Sequence, residues 1–218
     1  PPPEAEPPAP PLYHWAVKLS SRTSEVEAFD VRLPGALCAL LIVLLIGWWE
    51  LGHATRYGRD NMAEASPVGF ALFAALAAAS SPLLIAAGRS GGPDALFTLL
   101  FLAAAMCWGE SFEARRSFYA GRPWRFWVIW GYIFAGLAVL TYGLLIAAVL
   151  LIPYAMAARA YRLRRPDWVH APGLLLAAGP MAAWLLAVAS SAPEAAAQPW
   201  RILMNFGQEG RPHVFEPM

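Results

Sequence analysis

This chain has few cysteines, and its residues do not have the spacing of a metal, redox or nucleotide site. Its 218 residues include only 2 cysteines, Cys38 and Cys107, which both lie in apolar stretches where a free thiol behaves as a small hydrophobe. No residues have the spacing of a zinc or redox site, and no glycine-rich phosphate loop follows a strand pattern. The sequence therefore gives no support to zinc, thiol-redox or sugar-nucleotide chemistry of these kinds.

Charge is also low and nearly balanced. Lys and Arg number 16 against 15 Asp and Glu, and charged residues make up 14% of the chain. Since no overall basic field attracts nucleic acid, we predict no nucleic-acid partner. Hydrophobic residues make up 58% of the sequence, which is typical of a membrane protein that crosses the bilayer several times. Because the chain begins with Pro and carries no signal segment, we expect it to be a piece of a longer membrane protein.

Long apolar runs predict an all-α transmembrane bundle of about six spans, because about 20 apolar residues of helix cross a bilayer. Four runs have the length of one span: Gly35–Leu51, Pro67–Ala87, Asp94–Gly109 and Pro172–Ser190. A fifth run, from Phe126 to Met156, would be roughly 45 Å long as a helix, against a hydrocarbon core of about 30 Å. We therefore predict that it forms two short helices that break at Thr141-Tyr142-Gly143. The Ala-rich and Ser-rich run from Pro67 is expected to pack in the bundle interior.

The first 34 residues are predicted to form a loop on one membrane face. Residues 1–11 are rich in Pro, which favours extended chain. From Leu12 the helical period places His14, Lys18 and Arg22 on one face and apolar residues such as Trp15 on another. This segment is too short and too charged to span, so we expect an amphipathic helix on the membrane surface.

The arginines predict the orientation of the bundle, because cytoplasmic loops carry an excess of basic residues. Arginines concentrate in the loops after the first, third and fifth spans: Arg56, Arg59, Arg115, Arg116, Arg122, Arg125, Arg159, Arg162, Arg164 and Arg165. These loops are therefore assigned to the cytoplasm. Residues 1–34, the hairpin Gly88–Asp94 and a tail at 191–218 then share the outer face of a bundle formed by residues 35–190. The tail is expected to lead to a missing C-terminal part.

Asp94 ends that polar hairpin and has two interpretations. In the structural one, Gly92 caps a helix, Pro93 takes its first position and Asp94 lies in the first turn, where the helix dipole favours an anion. In the functional one, Asp94 and Arg89 face a polar cavity at the lipid–water boundary, where ionisable groups are costly and usually functional. Both interpretations can hold, and we expect the cavity to include part of the segment from Leu12 to Arg22.

Three stretches, in this order and spacing, resemble a known family. They are Pro10-Pro11-Leu12-Tyr13-His14-Trp15 with Arg32-Leu33-Pro34; Ser80-Ser81-Pro82-Leu83 with Pro93-Asp94-Ala95-Leu96; and Gly136-Leu137-Ala138-Val139-Leu140-Thr141-Tyr142-Gly143. The ordered set is similar to the polytopic glycosyltransferases of the C-type superfamily, specifically protein mannosyltransferases and lipid A aminoarabinose transferases. Ala9 and Tyr142 depart from the family, which usually carries lysine at those positions.

The resemblance implies transfer of a sugar from a polyprenyl-phosphate donor to a lipid, glycan or protein acceptor on the outer face. It places an Asp like Asp94 beside the active cavity, and we predict Asp94 as the catalytic residue. The predicted substrate-binding residues are Arg89, His14, Lys18, Arg22, Tyr13, Glu209 and Arg211. The family's base lies before the Pro-rich segment, so we expect it upstream of Pro1. The sequence leaves open whether a divalent metal joins Asp94, and a bacterial inner membrane with the active side facing the periplasm or exterior is the expected location.

Two alternatives stay open at this point, a transporter or channel and a non-catalytic membrane scaffold. A transporter would call for inverted repeats and ionisable groups at mid-membrane depth, whereas Glu50, Asp94 and Glu110 all fall at the ends of predicted spans. The predicted topology also places Cys38 and Cys107 at depths that differ by roughly 15 Å. Since a disulfide needs Cα atoms within about 7 Å, we expect both thiols to be free.

Overall fold

The chain folds as α-helices, as the apolar runs predict. A computed structural model describes residues 11–21, 27–57, 66–116, 124–142, 155, 159 and 168–191. The helices within these ranges are α1 (Pro11–Ser20), α2 (Ala28–Tyr57), α3 (Pro67–Ala79), α4 (Pro82–Arg89), α5 (Asp94–Arg116), α6 (Trp124–Tyr142) and α7 (His170–Ser191). No strand occurs in the described ranges, so the all-α prediction is confirmed.

Four of these helices, α2, α5, α6 and α7, are long and apolar enough to cross a membrane. The pair α3 and α4 meets the same criterion as one unit, although it is bent by 58° at the break between them. A multi-pass membrane protein is therefore confirmed. The predicted break at Thr141-Tyr142-Gly143 and the second short helix up to Met156 fall largely outside the described residues, so the count of six spans stays a prediction.

Two of the long helices extend well beyond the boundaries predicted from hydropathy. Helix α2 begins at Ala28 rather than Gly35, and α5 continues to Arg116 rather than ending at Gly109. The first turn of α2 is capped, since the Asp30 carboxylate accepts the backbone N–H of Glu27 at 3.1 Å. The predicted loops at these two places are wrong, because hydropathy marks the edge of the hydrocarbon and not the end of the helix.

The predicted continuous helix from Pro67 to Ala87 is also wrong. Pro82 has no N–H to continue a helix, and Ser81 before it is extended, with φ −64° and ψ 119°. The expectation that this run packs in the interior fails as well, because Phe73 is 72% exposed and Leu83 is 82% exposed. Ala71 and Ala75 of this stretch, and Gly88 just after it, lie against α2.

Residues 13–106 form one compact unit, in which α3 and α4 run antiparallel to α2. Small residues set the approach of these helices. A Cβ placed on Gly88 would lie 3.0 Å from the Cβ of Ala39, and one placed on Gly47 would lie 3.3 Å from the Cβ of Ala75. Such contacts let helix backbones come close in lipid. Cys38 is a free, buried thiol of this unit, as predicted.

Residues 107–218 form a second compact unit, together with residues 1–12. Large rings, rather than small residues alone, pack its described helices. Trp108 of α5 meets Tyr132 of α6 edge to face, with ring centroids 5.8 Å apart. Tyr132 in turn lies over Gly173 of α7, and Gly136 approaches the backbone of Ala177, so α6 and α7 are parallel. Cys107 is a free, buried thiol, as predicted.

Candidate functional site

The predicted surface helix α1 is held against the first turns of α2 by two hydrogen bonds. The Tyr13 hydroxyl donates to the backbone oxygen of Val31 at 2.6 Å. The single hydrogen of the Ser20 hydroxyl is shared between the backbone oxygens of Asp30 at 2.8 Å and of Val17 at 2.7 Å. The Asp30 carbonyl is available because Pro34, four residues later, has no N–H to bond to it. A proline inside α2 thus creates the docking point for α1.

The contact face of α1 differs in part from the predicted one. Tyr13 and Val17 are buried, whereas Trp15 is 57% exposed and Leu19 is 89% exposed. The periodicity predicted an amphipathic helix, but it grouped Trp15 and Leu19 on the apolar face and could not show that Tyr13 and Val17 are the buried side chains. Two apolar side chains four residues apart therefore stay on the surface of α1, which suits contact with lipid.

The polar hairpin between α4 and α5 reaches the same end of α2. Gly91 has φ +65°, a left-handed conformation that favours glycine, and a Cβ at this position would lie 3.0 Å from Cγ1 of Val31. The Ser90 hydroxyl accepts the N–H of Gly92 at 3.3 Å. The first turns of α2 therefore contact both α1 and the hairpin.

Asp94 begins α5 directly after this hairpin, in the first helical turn, and it is exposed. Its Oδ2 lies toward Gly92, 3.6 Å from the place where a Cβ would stand. Burial raises the pKa of the Tyr13 phenol to about 12, with smaller contributions from Cys38 and from the Asp94 charge. The charge of Asp94 thus acts on a side chain of α1. We call Tyr13, Val31, Gly91 and Asp94 the Asp94 cluster.

The structure describes five of the eight residues predicted from sequence to form the site. The charge of Asp94 acts on the Tyr13 phenol and raises its pKa slightly, and His14 and Lys18 are exposed on α1. Arg89 is exposed in the last turn of α4, and within the described part of the chain it forms no ion pair with Asp94. Predicted substrate contacts at Arg22, Glu209 and Arg211 lie outside the described residues.

Sequence reasoning missed the backbone acceptors of the site. The carbonyls of Asp30 and Val31 hold α1, yet the sequence predicted that these residues belong to a loop over the first 34 residues. Pro34 was the available signal, because a proline inside a helix leaves the carbonyl four residues earlier without its usual partner. Ser20, the partner of that carbonyl, is 10 residues away, and no short sequence pattern predicts this hydrogen bond.

Within the described ranges, no group of three or more His, Cys, Asp or Glu side chains is arranged to hold a metal ion. Comparisons with protein-family models, with curated proteins and with solved structures found no match to the chain. The functional argument therefore depends on the sequence motifs and on the geometry of the Asp94 cluster.

Proposed function

We propose that the chain is part of an integral-membrane glycosyltransferase that uses a polyprenyl-phosphate sugar donor. One observation supports the proposal most. Tyr13, from the motif that begins at Pro10, and Gly91, two residues before the stretch that contains Asp94, are far apart in sequence, yet both contact Val31 near the start of α2. One stretch that carries the resemblance, and the hairpin that leads into another, thus lie at the end of a helix long enough to cross the membrane.

In this proposal the exposed charged residues at that end of α2 have separate roles in the transfer. An acceptor hydroxyl attacks the anomeric carbon of the sugar, the bond from that carbon to the phosphate oxygen breaks, and polyprenyl phosphate leaves with the bonding electrons. Asp94 takes the acceptor proton or orients the acceptor, and Arg89 and Lys18 neutralise the departing phosphate. Arginine suits this role because its fork binds two oxygens.

Tyr13 has a different role in the proposed reaction. With a pKa of about 12 its phenol stays protonated at neutral pH, so it is not a base. Its hydrogen bond to Val31 fixes α1, and thereby sets where His14 and Lys18 are displayed. Tyr13 is therefore proposed to position the phosphate-binding side chains, and direct contact with the substrate stays a prediction.

The proposed reaction takes place on the outer face of a bacterial inner membrane, toward the periplasm or exterior. The arginine-rich loops support this side, because the Asp94 cluster and the loop that follows α2 lie at opposite ends of that helix. Which sugar is transferred, and to which lipid, glycan or protein acceptor, follows from the residues that bind the sugar ring, and none of these is assigned.

Replacement of Asp94 by Asn in the complete protein tests the proposal. We expect transfer from a polyprenyl-phosphate sugar to fall about a hundredfold or more, as loss of an acid–base or orienting group does, while the protein still inserts into the membrane. Glu27→Gln is the matched control, because Glu27 is another exposed carboxylate near the start of α2, and this variant should keep the wild-type rate. Near-normal transfer by the Asp94→Asn variant would contradict the catalytic role.

A transporter is the second candidate, and the break between α3 and α4 favours it. Discontinuous helices form substrate sites in many transporters, and the 58° bend gives this chain such a helix pair. Solute uptake by liposomes that contain the complete protein would separate the two functions. Uptake that survives Asp94→Asn, without any glycosyl transfer by the wild type, would favour the transporter.

A further inference from the structure

Arg32 is a positive charge beside the Asp94 cluster to which the proposed reaction gives no role. It directly follows Val31, the residue whose carbonyl accepts the Tyr13 hydroxyl and whose side chain lies beside Gly91. Arg32 lies beside the hairpin as well, since its Cγ is 3.6 Å from the place where a Cβ of Gly91 would stand. The stem of Arg32 is therefore packed along the turn that leads into Asp94.

The charge of Arg32 is not neutralised by a neighbouring carboxylate. Its side chain is exposed, and within the described ranges it forms no ion pair with Asp94 or with Asp30. The residues one helical turn before and after it on α2 are also uncharged: Ala28, Phe29, Gly35 and Ala36. The guanidinium is thus available to an anionic group that enters the site.

Arg32 also lies at the depth where a lipid-linked phosphate is met. The candidate span of α2 begins at Ala28, so Arg32 is in the second turn of that span, and Asp94 is the first residue of another span. The tail of a polyprenyl phosphate is apolar and stays in the hydrocarbon, so its phosphate is held at the membrane–water boundary. Arginine near a span end reaches this boundary with its long stem.

The element that carries Arg32 distinguishes it from the two cations already given a role. Lys18 is on α1, which has 10 residues, and Arg89 is in the last turn of α4, which has 8. Arg32 is on the 30-residue helix α2, next to the residue that contacts both α1 and the hairpin. A binding side chain on a long, packed helix is held more precisely than one on a short element. Arg32 is therefore suited to fix a phosphate relative to Asp94.

We propose that Arg32 binds the phosphate of the polyprenyl-phosphate donor and of the polyprenyl phosphate that leaves. The inference rests on the proposed function and adds a binding residue to the same site. The planar guanidinium donates two N–H groups to two phosphate oxygens, and no covalent bond forms to Arg32. As the bond from the anomeric carbon to the phosphate oxygen breaks, the negative charge on the phosphate rises from one to about two. The attraction to Arg32 therefore grows during the transfer.

Native mass spectrometry of the full chain in detergent, titrated with geranylgeranyl phosphate, tests this assignment without a transfer reaction. Geranylgeraniol, which has the same tail and no phosphate, measures what the tail contributes. We expect the wild type to prefer the phosphate, and Arg32→Gln to weaken its binding about tenfold or more, as loss of a hydrogen bond between charged groups does. Arg32→Lys should fall between the two, because it keeps the charge and loses the fork.

Arg159→Gln is the matched control, because Arg159 is another exposed arginine and belongs to the unit formed by residues 107–218. This variant should bind geranylgeranyl phosphate as the wild type does. If Arg32→Gln lowers the melting temperature of the ligand-free chain, Arg32→Met replaces it. Methionine keeps an unbranched stem beside Gly91 and removes only the charged end.

Two results would overturn the assignment of Arg32 and leave the proposed function standing. If Arg32→Gln and Arg32→Met bind geranylgeranyl phosphate as the wild type does, the phosphate is held elsewhere. If these variants lose phosphatidylglycerol by the same factor, Arg32 only attracts anionic lipids in general. A third result would overturn the proposed function as well: a wild type that binds geranylgeranyl phosphate no better than geranylgeraniol has no site for a polyprenyl phosphate.

Discussion

The Asp94 cluster and a group formed by Arg115, Trp124, Arg125 and Trp168, here called the Arg125 cluster, both lie at helix ends, yet they use their charged residues differently. In the Asp94 cluster, hydrogen bonds to backbone carbonyls hold the elements together, and His14, Lys18 and Asp94 are left exposed. In the Arg125 cluster, aromatic rings lie against the guanidinium groups. The first arrangement leaves charged side chains exposed, whereas the second covers the face of a guanidinium with a ring.

The helix contacts of the two units differ in the same way. Residues 13–106 pack through glycine and alanine, so large side chains such as Phe73 and Leu76 face outward. The described part of residues 107–218 instead packs through Trp108 and Tyr132, which lie over glycines of neighbouring helices.

The largest stability effect is expected from a glycine of the second unit. A Cβ at Gly136 would lie 2.8 Å from Cα of Ala177 and 2.9 Å from its carbonyl oxygen, and a backbone cannot move aside as a side chain does. Gly136→Ala should destabilise the protein by about 1–3 kcal/mol. Thermal unfolding in detergent measures the effect.

Gly179→Ala is the control for this prediction, because a Cβ at Gly179 meets nothing within 4 Å. Alanine there should be neutral or raise stability by up to about 1 kcal/mol, from its better helix propensity. Equal losses in the two variants would show that α6 and α7 do not approach as closely as described.

A smaller effect is expected where α1 joins α2. Ser20→Ala removes the donor to the Asp30 carbonyl that Pro34 leaves without its helical partner, and should cost about 0.5–1.5 kcal/mol. In a Pro34→Ala background the N–H of residue 34 can bond to that carbonyl, so Ser20→Ala should cost less. A double-mutant cycle measures the difference. Additive costs would show that Ser20 and Pro34 are not coupled.

The sequence predicted the helices of the fold better than their contacts. Apolar runs located the spans, because lipid requires about 20 apolar residues per crossing. They did not locate the ends of α2 and α5, since charged residues such as Glu113 and Arg115 are good helix formers and continue a helix beyond the apolar run. Pro82 was visible in the sequence, but whether a proline kinks or ends a helix depends on its neighbours.

The sequence predicted the candidate site only as a set of residues on one side of the membrane. Charge counting grouped α1, the hairpin and Asp94, and the described structure brings these elements to the start of α2. The partners of each side chain were not predictable, because the bond from Tyr13 to Val31 joins residues 18 positions apart. Cation–π contacts of the Arg125 cluster were missed for the same reason, since Trp124 begins α6 whereas Trp168 lies in the turn before α7.

The smallest effect concerns the link between Asp94 and Tyr13. Because the Asp94 charge disfavours the phenolate, Asp94→Asn should lower the pKa of Tyr13 from about 12 by a small amount, leaving the larger effect of burial. Ultraviolet absorbance of the ionising tyrosines measures this, with Tyr13→Phe identifying the signal of Tyr13. An unchanged pKa of Tyr13 in the Asp94→Asn variant would show that the charge of Asp94 does not act on α1.

The same titration has a stability consequence with a defined sign. The folded-state pKa of Tyr13 lies above the ordinary value of 10.0, so the folded state favours the neutral phenol. This contribution is fully present below pH 10 and is lost as the pH rises toward 12. Tyr13→Phe should therefore flatten the fall in stability over that range.

The central claim is that the Asp94 end of α2 faces outward, and thiol labelling in intact cells tests it most directly. Ser90 and Thr55 are both exposed. Ser90 lies in the hairpin next to the start of α2, and Thr55 lies near the other end of this helix. At about 1.5 Å per residue, the helix between Val31 and Thr55 is roughly 36 Å long. The native thiols of Cys38 and Cys107 are buried and should give little background. We predict that a membrane-impermeant reagent labels Ser90→Cys and leaves Thr55→Cys unlabelled until the cells are opened. Labelling of Thr55→Cys alone would place Asp94 on the cytoplasmic side and contradict the proposed reaction.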